Sequence, residues 1–469
     1  MKKNLALFLL IASFFLFAGL AEAGVRRNWW PLFFYQESSD KSARELELFG
    51  PLIYSYRTPK ESATAFRPFW AEVKGPDQYD FYFLSPLGHY QQGKDYSRLR
   101  FIPFISVDDN HSKKKHFRSF LLYFWGESPQ GQKYWGFFPF YGTLYDFFGK
   151  DEIKFYMWPV YIRSRIDENI SRTYFWPFYN RTDGPTLYQR KFWPIYGVRI
   201  KKDFYERKFF LWPFFGYLKW REGEDSFAER KMFFPFWIQE KSPNFRRYTL
   251  LWPLFRYYRN EKTDTTRLDL PRPFFTFGEG KNPPYHERKF WPLLGHRKIE
   301  DSDYHFFLWP FFLFYRDILC LCPKKIYQNE SRVLLFSRFT RIKDENGKIY
   351  YEFGRLWPLA EHMRREDGSK VFFIPAIIPF HHEGIDRTIA PLLKLYEYIR
   401  FPDGTTRSKA LWGFYRHDCT KDKKILELAF LLSYETRKDG FNFQLLNGLF
   451  GFGKRHNDWH LKLLFLSIF

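Results

Sequence analysis

Cysteine is scarce in this sequence, which has three cysteines among 469 residues. So few cysteines cannot form a disulfide framework for a chain of this length. Cys320 and Cys322 are two residues apart, which on a strand places their Cα atoms about 6.5–7 Å apart, at or beyond the usual disulfide limit. Cys419 is distant from both in the sequence. We therefore predict free, partly buried thiols rather than a redox pair or a metal clip.

Recognisable catalytic motifs are also lacking. The chain contains no G-x-S-x-G, no phosphate-binding loop of the Walker type, no G-x-G-x-x-G and no H-E-x-x-H. The nearest candidates are His381-His382-Glu383, before a glycine, and Asp108-Asp109 with His111. Neither group has further residues at a known ligand or catalytic spacing, so we interpret both as solvated turn residues. The sequence predicts a non-enzymatic protein without a cofactor or a metal site.

The one long apolar run lies at the N-terminus. Lys2 and Lys3 precede the run Leu5–Leu20, and Ala21-Glu22-Ala23 has the small-x-small pattern of a cleavage site. These features predict a signal peptide over residues 1–23, and hence export. The run is short for a membrane anchor, and no cysteine follows the site to carry a lipid.

Acidic residues are outnumbered, since the chain has 74 Lys and Arg against 52 Asp and Glu and a formal net charge of +22. Aromatic residues make up 23% of the chain, far above common usage, while the mean hydropathy is only −0.48. Such a chain has much apolar surface to cover and many charges to keep in water.

A Trp-Pro repeat organises the chain after the leader. The stretch Lys208–Trp220 reads K-F-F-L-W-P-F-F-G-Y-L-K-W, with aromatic residues on both sides of Trp212-Pro213 and charges at both ends. Nine of the 17 tryptophans directly precede a proline. The other copies are Trp30-Pro31, Trp158-Pro159, Trp176-Pro177, Trp193-Pro194, Trp252-Pro253, Trp291-Pro292, Trp309-Pro310 and Trp357-Pro358.

The spacing of the repeat predicts the fold class. Prolines within apolar runs recur mostly every 17–22 residues, and Asx-Gly pairs such as Asn346-Gly347 and Asp403-Gly404 indicate hairpin turns between them. Prolines inside the runs exclude helices, apart from some helical character in Lys41–Leu48. We predict an all-β protein with one domain over residues 24–469, an antiparallel up-and-down meander of about 22–24 strands closed into a transmembrane β-barrel.

The prolines leave two alternatives for each repeat. Proline donates no ladder hydrogen bond, so Trp-Pro marks either a bulge inside one strand of about 10–13 residues or a break between two short strands. The second alternative suits a soluble repeat array better than a membrane wall. Small sheets packed in water would argue against a membrane location.

The C-terminal stretch Trp459–Phe469 reads W-H-L-K-L-L-F-L-S-I-F and resembles the closing strand of Gram-negative outer-membrane β-barrels. In that class, alternating apolar residues and a terminal phenylalanine form the assembly signal. The resemblance implies this role for Leu461, Leu463, Phe465 and Phe469, and implies the barrel-assembly machinery as a partner. Ser467 departs from the pattern, because the class usually has a larger apolar residue there.

Basic residues crowd the predicted strand ends, where they are expected to contact anionic outer-membrane lipid such as lipopolysaccharide. An equally simple explanation is that they keep turns soluble. The candidate contacts are Arg163, Arg165, Arg199, Lys201, Lys202, Arg246, Arg247, Arg364 and Arg365.

The sequence thus favours an outer-membrane protein with a transport, translocation or envelope-structural role. The alternative is a soluble exported β-repeat protein, in the periplasm or outside the cell, that binds polysaccharide or a protein partner. Nucleic acid is a minor option because the chain is exported.

Overall fold

The computed structural model describes residues 25–38, 40–224, 226–320, 325–365, 367–456, 458–464 and 466–467. The predicted signal peptide, Cys322, Phe465 and Phe469 lie outside these ranges. The chain divides into a terminal unit, which comprises residues up to Lys94 and from Trp357 onward, and a central unit, Asp95–Leu356. The one domain predicted from the sequence over residues 24–469 stays a prediction.

Short antiparallel strands form both units, and each strand pairs with the next along the chain within each run. The first run of the terminal unit is β1 (Arg26–Trp29), β2 (Phe33–Glu37), β3 (Arg44–Leu48), β4 (Ile53–Arg57), β5 (Ser62–Phe66), β6 (Trp70–Lys74), β7 (Gln78–Phe83) and β8 (Gly88–Gly93). The predicted helical character of Lys41–Leu48 is wrong, because Arg44–Leu48 pairs on both sides as β3.

The central unit is one continuous meander. Its strands are β9 (Tyr96–Phe101), β10 (Ile105–Asn110), β11 (Lys115–Phe120), β12 (Tyr123–Glu127), β13 (Lys133–Phe137), β14 (Tyr141–Phe147), β15 (Lys150–Tyr156), β16 (Tyr161–Ile166), β17 (Asn169–Tyr174), β18 (Tyr179–Asp183), β19 (Leu187–Phe192), β20 (Tyr196–Lys201), β21 (Tyr205–Phe210), β22 (Phe215–Arg221), β23 (Phe227–Phe233), β24 (Trp237–Lys241), β25 (Phe245–Leu250), β26 (Phe255–Asn260), β27 (Thr265–Asp269), β28 (Phe275–Gly280), β29 (Tyr285–Phe290), β30 (Leu294–Ile299), β31 (Ser302–Phe307), β32 (Phe312–Cys320), β33 (Ile326–Val333), β34 (Ser337–Asp344) and β35 (Ile349–Leu356).

The second run of the terminal unit contains the only helices of the described residues. Its strands are β36 (Ala360–Arg364), β37 (Lys370–Ile374), β38 (Tyr396–Arg400), β39 (Thr406–Ala410), β40 (Tyr415–Cys419), β41 (Lys423–Leu428), β42 (Leu432–Arg437), β43 (Gly440–Leu445), β44 (Phe450–Arg455), β45 (Asp458–Leu463) and β46 (Leu466–Ser467). Its helices are α1 (Glu383–Thr388), α2 (Ala390–Leu393) and the 3₁₀ turns Leu411–Gly413 and Leu446–Gly448. Within the described ranges, no helix has the length and apolar character needed to cross a membrane.

The fold is an all-β antiparallel meander, as predicted, but the predicted strand number of about 22–24 is wrong. The described residues form 46 strands, mostly of five to seven residues, because each repeat is a hairpin and not one long strand. In Lys208–Trp220, β21 ends at Phe210 and β22 begins at Phe215, so Trp212-Pro213 lies at the tip of a turn. The second alternative left open by the sequence is therefore confirmed.

Hydrogen bonding explains why proline recurs at these tips. Residues 211–214 form a four-residue turn in which the Phe214 amide donates to the Leu211 carbonyl at 2.8 Å and Trp212-Pro213 is cis. A cis proline at the third position defines a type VI turn. Proline has no amide hydrogen, and at a turn tip it removes no bond from the strand ladder.

Successive proline turns also bond to one another along one edge of the central unit. The Trp176 amide donates to the Pro159 carbonyl at 2.7 Å, and the Trp158 amide donates to the Pro139 carbonyl at 2.6 Å. The same bond, at 2.7 Å, joins Trp212 to the Pro194 carbonyl. At other tips the acceptor is a neighbouring residue, as where the Trp193 amide donates to the Phe178 carbonyl at 2.6 Å, and these bonds hold neighbouring hairpin tips in register.

One face of the central sheet pairs glycine with large side chains. Gly197 is opposite Phe209, and Gly295 is opposite Phe306. A Cβ atom at either glycine would collide with the aromatic ring of its partner. The rings therefore occupy the space that a side chain at the glycine positions would need.

The two runs of the terminal unit pack against each other through a charged core. Arg26 donates to both carboxylate oxygens of Glu427, at 3.0 and 2.9 Å. Buried Glu47 accepts hydrogen bonds from Lys409 and Arg416. The Arg416 guanidinium lies 3.5 Å from the centre of the Phe34 ring, which is 1% exposed. Ion pairs and one aromatic ring thus fix β1–β3 against β39–β41.

Hydrogen bonds do not close the sheet among the described residues. There, β1 pairs with β2, β46 pairs with β45, and no ladder joins the first strand to the last. Closure into a barrel stays a prediction.

Candidate functional site

One edge of the central unit is strongly apolar. It consists of the proline turns, among them 157–160, 175–178, 211–214, 251–254 and 308–311, which we call the proline-turn edge. Its tryptophans are largely open to solvent, with Trp176 52% and Trp252 50% exposed. Neighbouring tips are in ring contact, as in the pair Trp158 and Trp176, whose ring centres are 6.1 Å apart. The turns at the opposite edge, such as 111–114, 202–204 and 261–264, are rich in charged residues.

A row of aromatic residues lies directly behind the proline-turn edge. Each strand contributes the residue that flanks the turn, and cross-strand pairing places these residues on one face of the sheet. From β14 to β22 this aromatic row consists of Tyr141, Tyr156, Tyr161, Tyr174, Tyr179, Phe192, Tyr196, Phe210 and Phe215. From Tyr141 to Tyr179 the rings contact each other in sequence, with centres 5.1 Å apart between Tyr161 and Tyr174. Because most members are half-exposed, the apolar surface extends from the tips onto this face.

A row of cations lies on the same face, two residues farther from the turns. Directly opposed pairs form the series Lys154, Arg163, Arg172, Arg181 and Arg190, which we call the basic row. Adjacent strands are about 4.8 Å apart, so the row extends over about 19 Å. Like charges directly opposite each other destabilise a sheet. Four such pairs in succession therefore concentrate positive charge on this face of the sheet.

Few carboxylates offset the charge of the basic row. Lys154 pairs with Glu152 at 2.6 Å, while Arg181 and Arg190 share Asp183 at 2.7 and 2.6 Å. Within the part of the chain that the structure describes, Arg163 and Arg172 have no acidic partner. The Nε atom of Arg163 is buried without a hydrogen-bond partner in the same part of the chain. The row therefore retains excess positive charge and unused donors.

The Asp183 carboxylate beside the basic row is held ionised. Hydrogen bonds from Arg181 and Arg190 lower the pKa of Asp183 below its ordinary value. The hydrogen bond to Glu152 raises the pKa of Lys154, which keeps this lysine charged. Lys154 and Asp183 therefore keep their charges near neutral pH.

Of the nine cations predicted from the sequence, Arg163 and Arg165 lie together on the face of the basic row. Arg165 is opposite Glu152 on β15, and its Nε atom is likewise buried without a partner among the described residues. Arg199 and Lys201 lie on β20 but point to the glycine-bearing face, and Lys202 follows in a charged turn.

The other predicted cations do not join this group. On β25, Arg246 lies 3.4 Å from Glu261, and Arg247 lies over the Tyr258 ring, 5.2 Å from its centre. Arg364 and Arg365 belong to the terminal unit, where Arg364 is opposite Lys370. The nine residues thus form no single site.

Sequence reasoning missed four members of the basic row, namely Lys154, Arg172, Arg181 and Arg190. The sequence did contain a signal. Lys154 and Arg172 each lie four residues before the tryptophan of a Trp-Pro pair. Arg163 and Arg181 each lie four residues after the proline of the same pairs. This spacing has meaning only when Trp-Pro is the tip of a hairpin, because the fourth residues on both sides then face each other.

The two polar groups interpreted as turn residues have other positions. His382 caps helix α1, and Glu383, its first residue, accepts a hydrogen bond of 2.5 Å from Tyr82. Asp108 and Asp109 lie within β10, where they pair with Arg98 and His116, while His111 does lie in a turn. The turn assignment is therefore wrong for His382, Glu383 and the two aspartates.

The remaining predicted residues are described only in part. Leu461 and Leu463 lie in β45 and pair with β44, whereas Phe465 and Phe469 lie outside the described residues. Cys419 is a free thiol on β40, as predicted.

No protein-family model matches the chain, and no curated protein is significantly similar to it. The proline-turn edge, the aromatic row and the basic row are therefore the features from which a function can be inferred.

Proposed function

We propose that the protein is a non-enzymatic, exported envelope protein that inserts its proline-turn edge into one leaflet of the outer membrane. The basic row would then hold anionic headgroups, such as those of lipopolysaccharide, in an envelope-structural role. The observation that carries this proposal is the order of the three features on the central sheet: apolar tips, then half-exposed aromatic residues, then cations. This is the order in which a protein entering a membrane from water meets acyl chains, the interface and phosphate groups.

The depth of the apolar surface supports insertion into one leaflet. The aromatic row lies two or three residues from the turn tips, which corresponds to about 7–10 Å along a strand. Surface-bound helices bury their apolar faces about 5–10 Å into the headgroup and acyl boundary. The basic row, two residues farther on, would then lie at the level of the phosphates.

Arginine suits this position because its planar guanidinium binds phosphate with two parallel hydrogen bonds. Each cation near an anionic membrane surface contributes about 1 kcal/mol of binding free energy. Bound phosphates would also offset the repulsion between the opposed cations of the row.

The closed transmembrane barrel predicted from the sequence is less well supported. A strand needs about 9–11 residues to cross a bilayer, whereas most strands of the central unit have five to seven. Breaks at the prolines thus weaken a bilayer-crossing wall, while the continuous exposed apolar edge still favours a membrane location. Recognition by the barrel-assembly machinery depends on the C-terminal resemblance alone.

Flotation with lipid vesicles tests the proposal, using the chain without residues 1–23. We expect binding to vesicles that contain anionic lipid, and weaker binding to neutral vesicles. Replacing Arg172 and Arg181 by glutamine should lower the partition coefficient for anionic vesicles about 30-fold, because two cations at about 1 kcal/mol each are lost.

The matched control replaces Lys113 and Lys202, two turn lysines at the opposite edge, by glutamine. It removes the same charge and should change binding far less. An equal loss in both variants would mean that only net charge matters, and a wild-type chain that stays with the aqueous fraction would refute the proposal.

Polysaccharide binding is the second candidate, favoured by the continuous aromatic row, since flat rings in sequence could stack on sugar rings. This function would leave the tips in water. A soluble wild-type chain that ignores vesicles but is retained by an envelope polysaccharide would favour this function over the first.

A further inference from the structure

Two histidines of the central unit are stacked across a hairpin. His296 on β30 is directly opposite His305 on β31, and their ring centres are 4.2 Å apart with an angle of 5° between the ring planes. Imidazole nitrogens of histidine are among the commonest metal ligands in proteins.

The two rings share one carboxylate oxygen. The Nε2 atoms of His296 and His305 are 3.0 and 2.9 Å from the same oxygen, Oδ1 of Asp303. One ligand atom from each of the three residues lies within 4.8 Å of the other two. Small side-chain rotations would bring three such atoms to the 2.0–2.2 Å distances typical of zinc ligands. Two imidazoles and one carboxylate are a common ligand set for transition metals.

A third histidine is close to this group. His286 lies on β29, two residues from Arg288, which is directly opposite His296. The ring centres of His286 and His296 are 6.1 Å apart. Three neighbouring strands therefore carry histidines on one face of the sheet. His286 could supply a fourth ligand, or a water molecule could complete the shell.

The surrounding charge helps to select the class of metal. Lys298 is opposite Asp303, and Arg288 is opposite His296, so cations flank the group. Calcium and magnesium bind mainly through the charge of several oxygen ligands, and a single carboxylate among cations offers too little. Imidazole nitrogen instead favours zinc, nickel and copper.

We propose that His296, Asp303 and His305 form a surface site for one divalent transition metal ion of the zinc, nickel or copper class. The ion would cross-link β30 to β31 at these half-exposed side chains. This inference does not depend on the proposed membrane role, since it concerns different residues and is tested without lipid.

Titration calorimetry with zinc chloride tests the site on the chain without residues 1–23, held in mild detergent. We expect one zinc ion per chain at this site. Replacing both His296 and His305 by alanine should weaken zinc binding at least about 100-fold, because two of three protein ligands are lost. Asp303→Asn keeps a hydrogen-bond acceptor but removes the charge, and should weaken zinc binding about 10-fold or more.

The matched control replaces His362 and His456, two exposed histidines of the terminal unit, by alanine. This variant should bind zinc as the wild type does. Hydrogen exchange provides a local readout, because zinc should slow exchange in β30 and β31 of the wild type and not in the double variant. Absence of zinc binding to the wild type, or unchanged binding by the double variant, would overturn the proposal.

Discussion

Replacing Glu47 by alanine tests how the terminal unit is held together. The Glu47 side chain is 2% exposed and accepts hydrogen bonds from Lys409, 23% exposed, and Arg416, 5% exposed. Removing the carboxylate leaves two buried cations without their counter-charge. Breaking a buried ion pair in this way costs about 3–5 kcal/mol. That loss is a large fraction of the 5–15 kcal/mol that typically stabilises a domain.

Hydrogen exchange of the full chain provides the measurement. A loss of about 3–5 kcal/mol corresponds to exchange faster by about 10²- to 10⁴-fold where exchange requires opening of the unit. We expect this acceleration in β3 and β40. The control is Asp422→Ala, which breaks an ion pair with Lys438 whose side chains are 72% and 78% exposed. If exchange in Glu47→Ala changed as little as in the control, the charged core would not be what joins the two runs of strands.

The same prediction includes a dependence on pH. Burial alone would raise the pKa of Glu47, but the charges of Lys409 and Arg416 outweigh it and lower this pKa below the ordinary value. A carboxyl group whose pKa is lower in the folded chain stabilises the fold at pH values above its pKa in the unfolded chain, about 4.3. This stabilisation is lost as the pH falls through the lower pKa of the folded state. The difference in stability between wild type and Glu47→Ala should therefore be full at pH 7 and shrink in acid.

Three further predictions concern other parts of the molecule. Gly197→Val should destabilise the central unit by about 1–3 kcal/mol in urea unfolding, because the new side chain collides with the Phe209 ring; unchanged stability would contradict this packing. Tyr82→Phe removes the hydrogen bond to Glu383 and should lower the local stability of α1 by about 1.5–3 kcal/mol, measured as faster hydrogen exchange in this helix. Exchange rates equal to those of the wild type would show that this bond does not anchor the helix. Trp176→Ser removes about 100 Å² of apolar surface at a turn tip, so it should lower the partition coefficient about 30-fold, or about 2 kcal/mol, for anionic and neutral vesicles alike. A loss confined to anionic vesicles would argue against insertion of the tip.

The sequence predicts the fold class because the hydrophobic pattern and the turn residues agree. The Asx-Gly turns are confirmed at Gly347, Gly368, Gly404 and Gly440, which all have positive φ. Strand length is harder to predict, because Phe209–Lys219 is apolar on both faces and gives no alternation from which to locate the bend. In the structure, the turn at Trp212-Pro213 divides it into two short strands.

The candidate site could be predicted only in part, because its geometry depends on strand register. Arg163 is recognisable as a cation at a strand end, but Arg172 and Arg190 become its neighbours in one row only after three hairpins are paired. The charged core has the same origin: Glu47 and Arg416 are 369 residues apart in the chain, and no local pattern indicates that they meet. Long-range pairing thus decides both features.

The most direct test of the membrane proposal compares the two edges of the same sheet. Cys320, Cys322 and Cys419 are replaced by serine, and a single cysteine carrying a spin label is introduced at Phe178, on the proline-turn edge, or at Glu168, in the turn at the opposite edge. With anionic vesicles, we predict that the label at position 178 lies about 5–10 Å below the lipid phosphates, while the label at position 168 stays in water. Equal accessibility of both labels to a water-soluble relaxation agent would contradict the account.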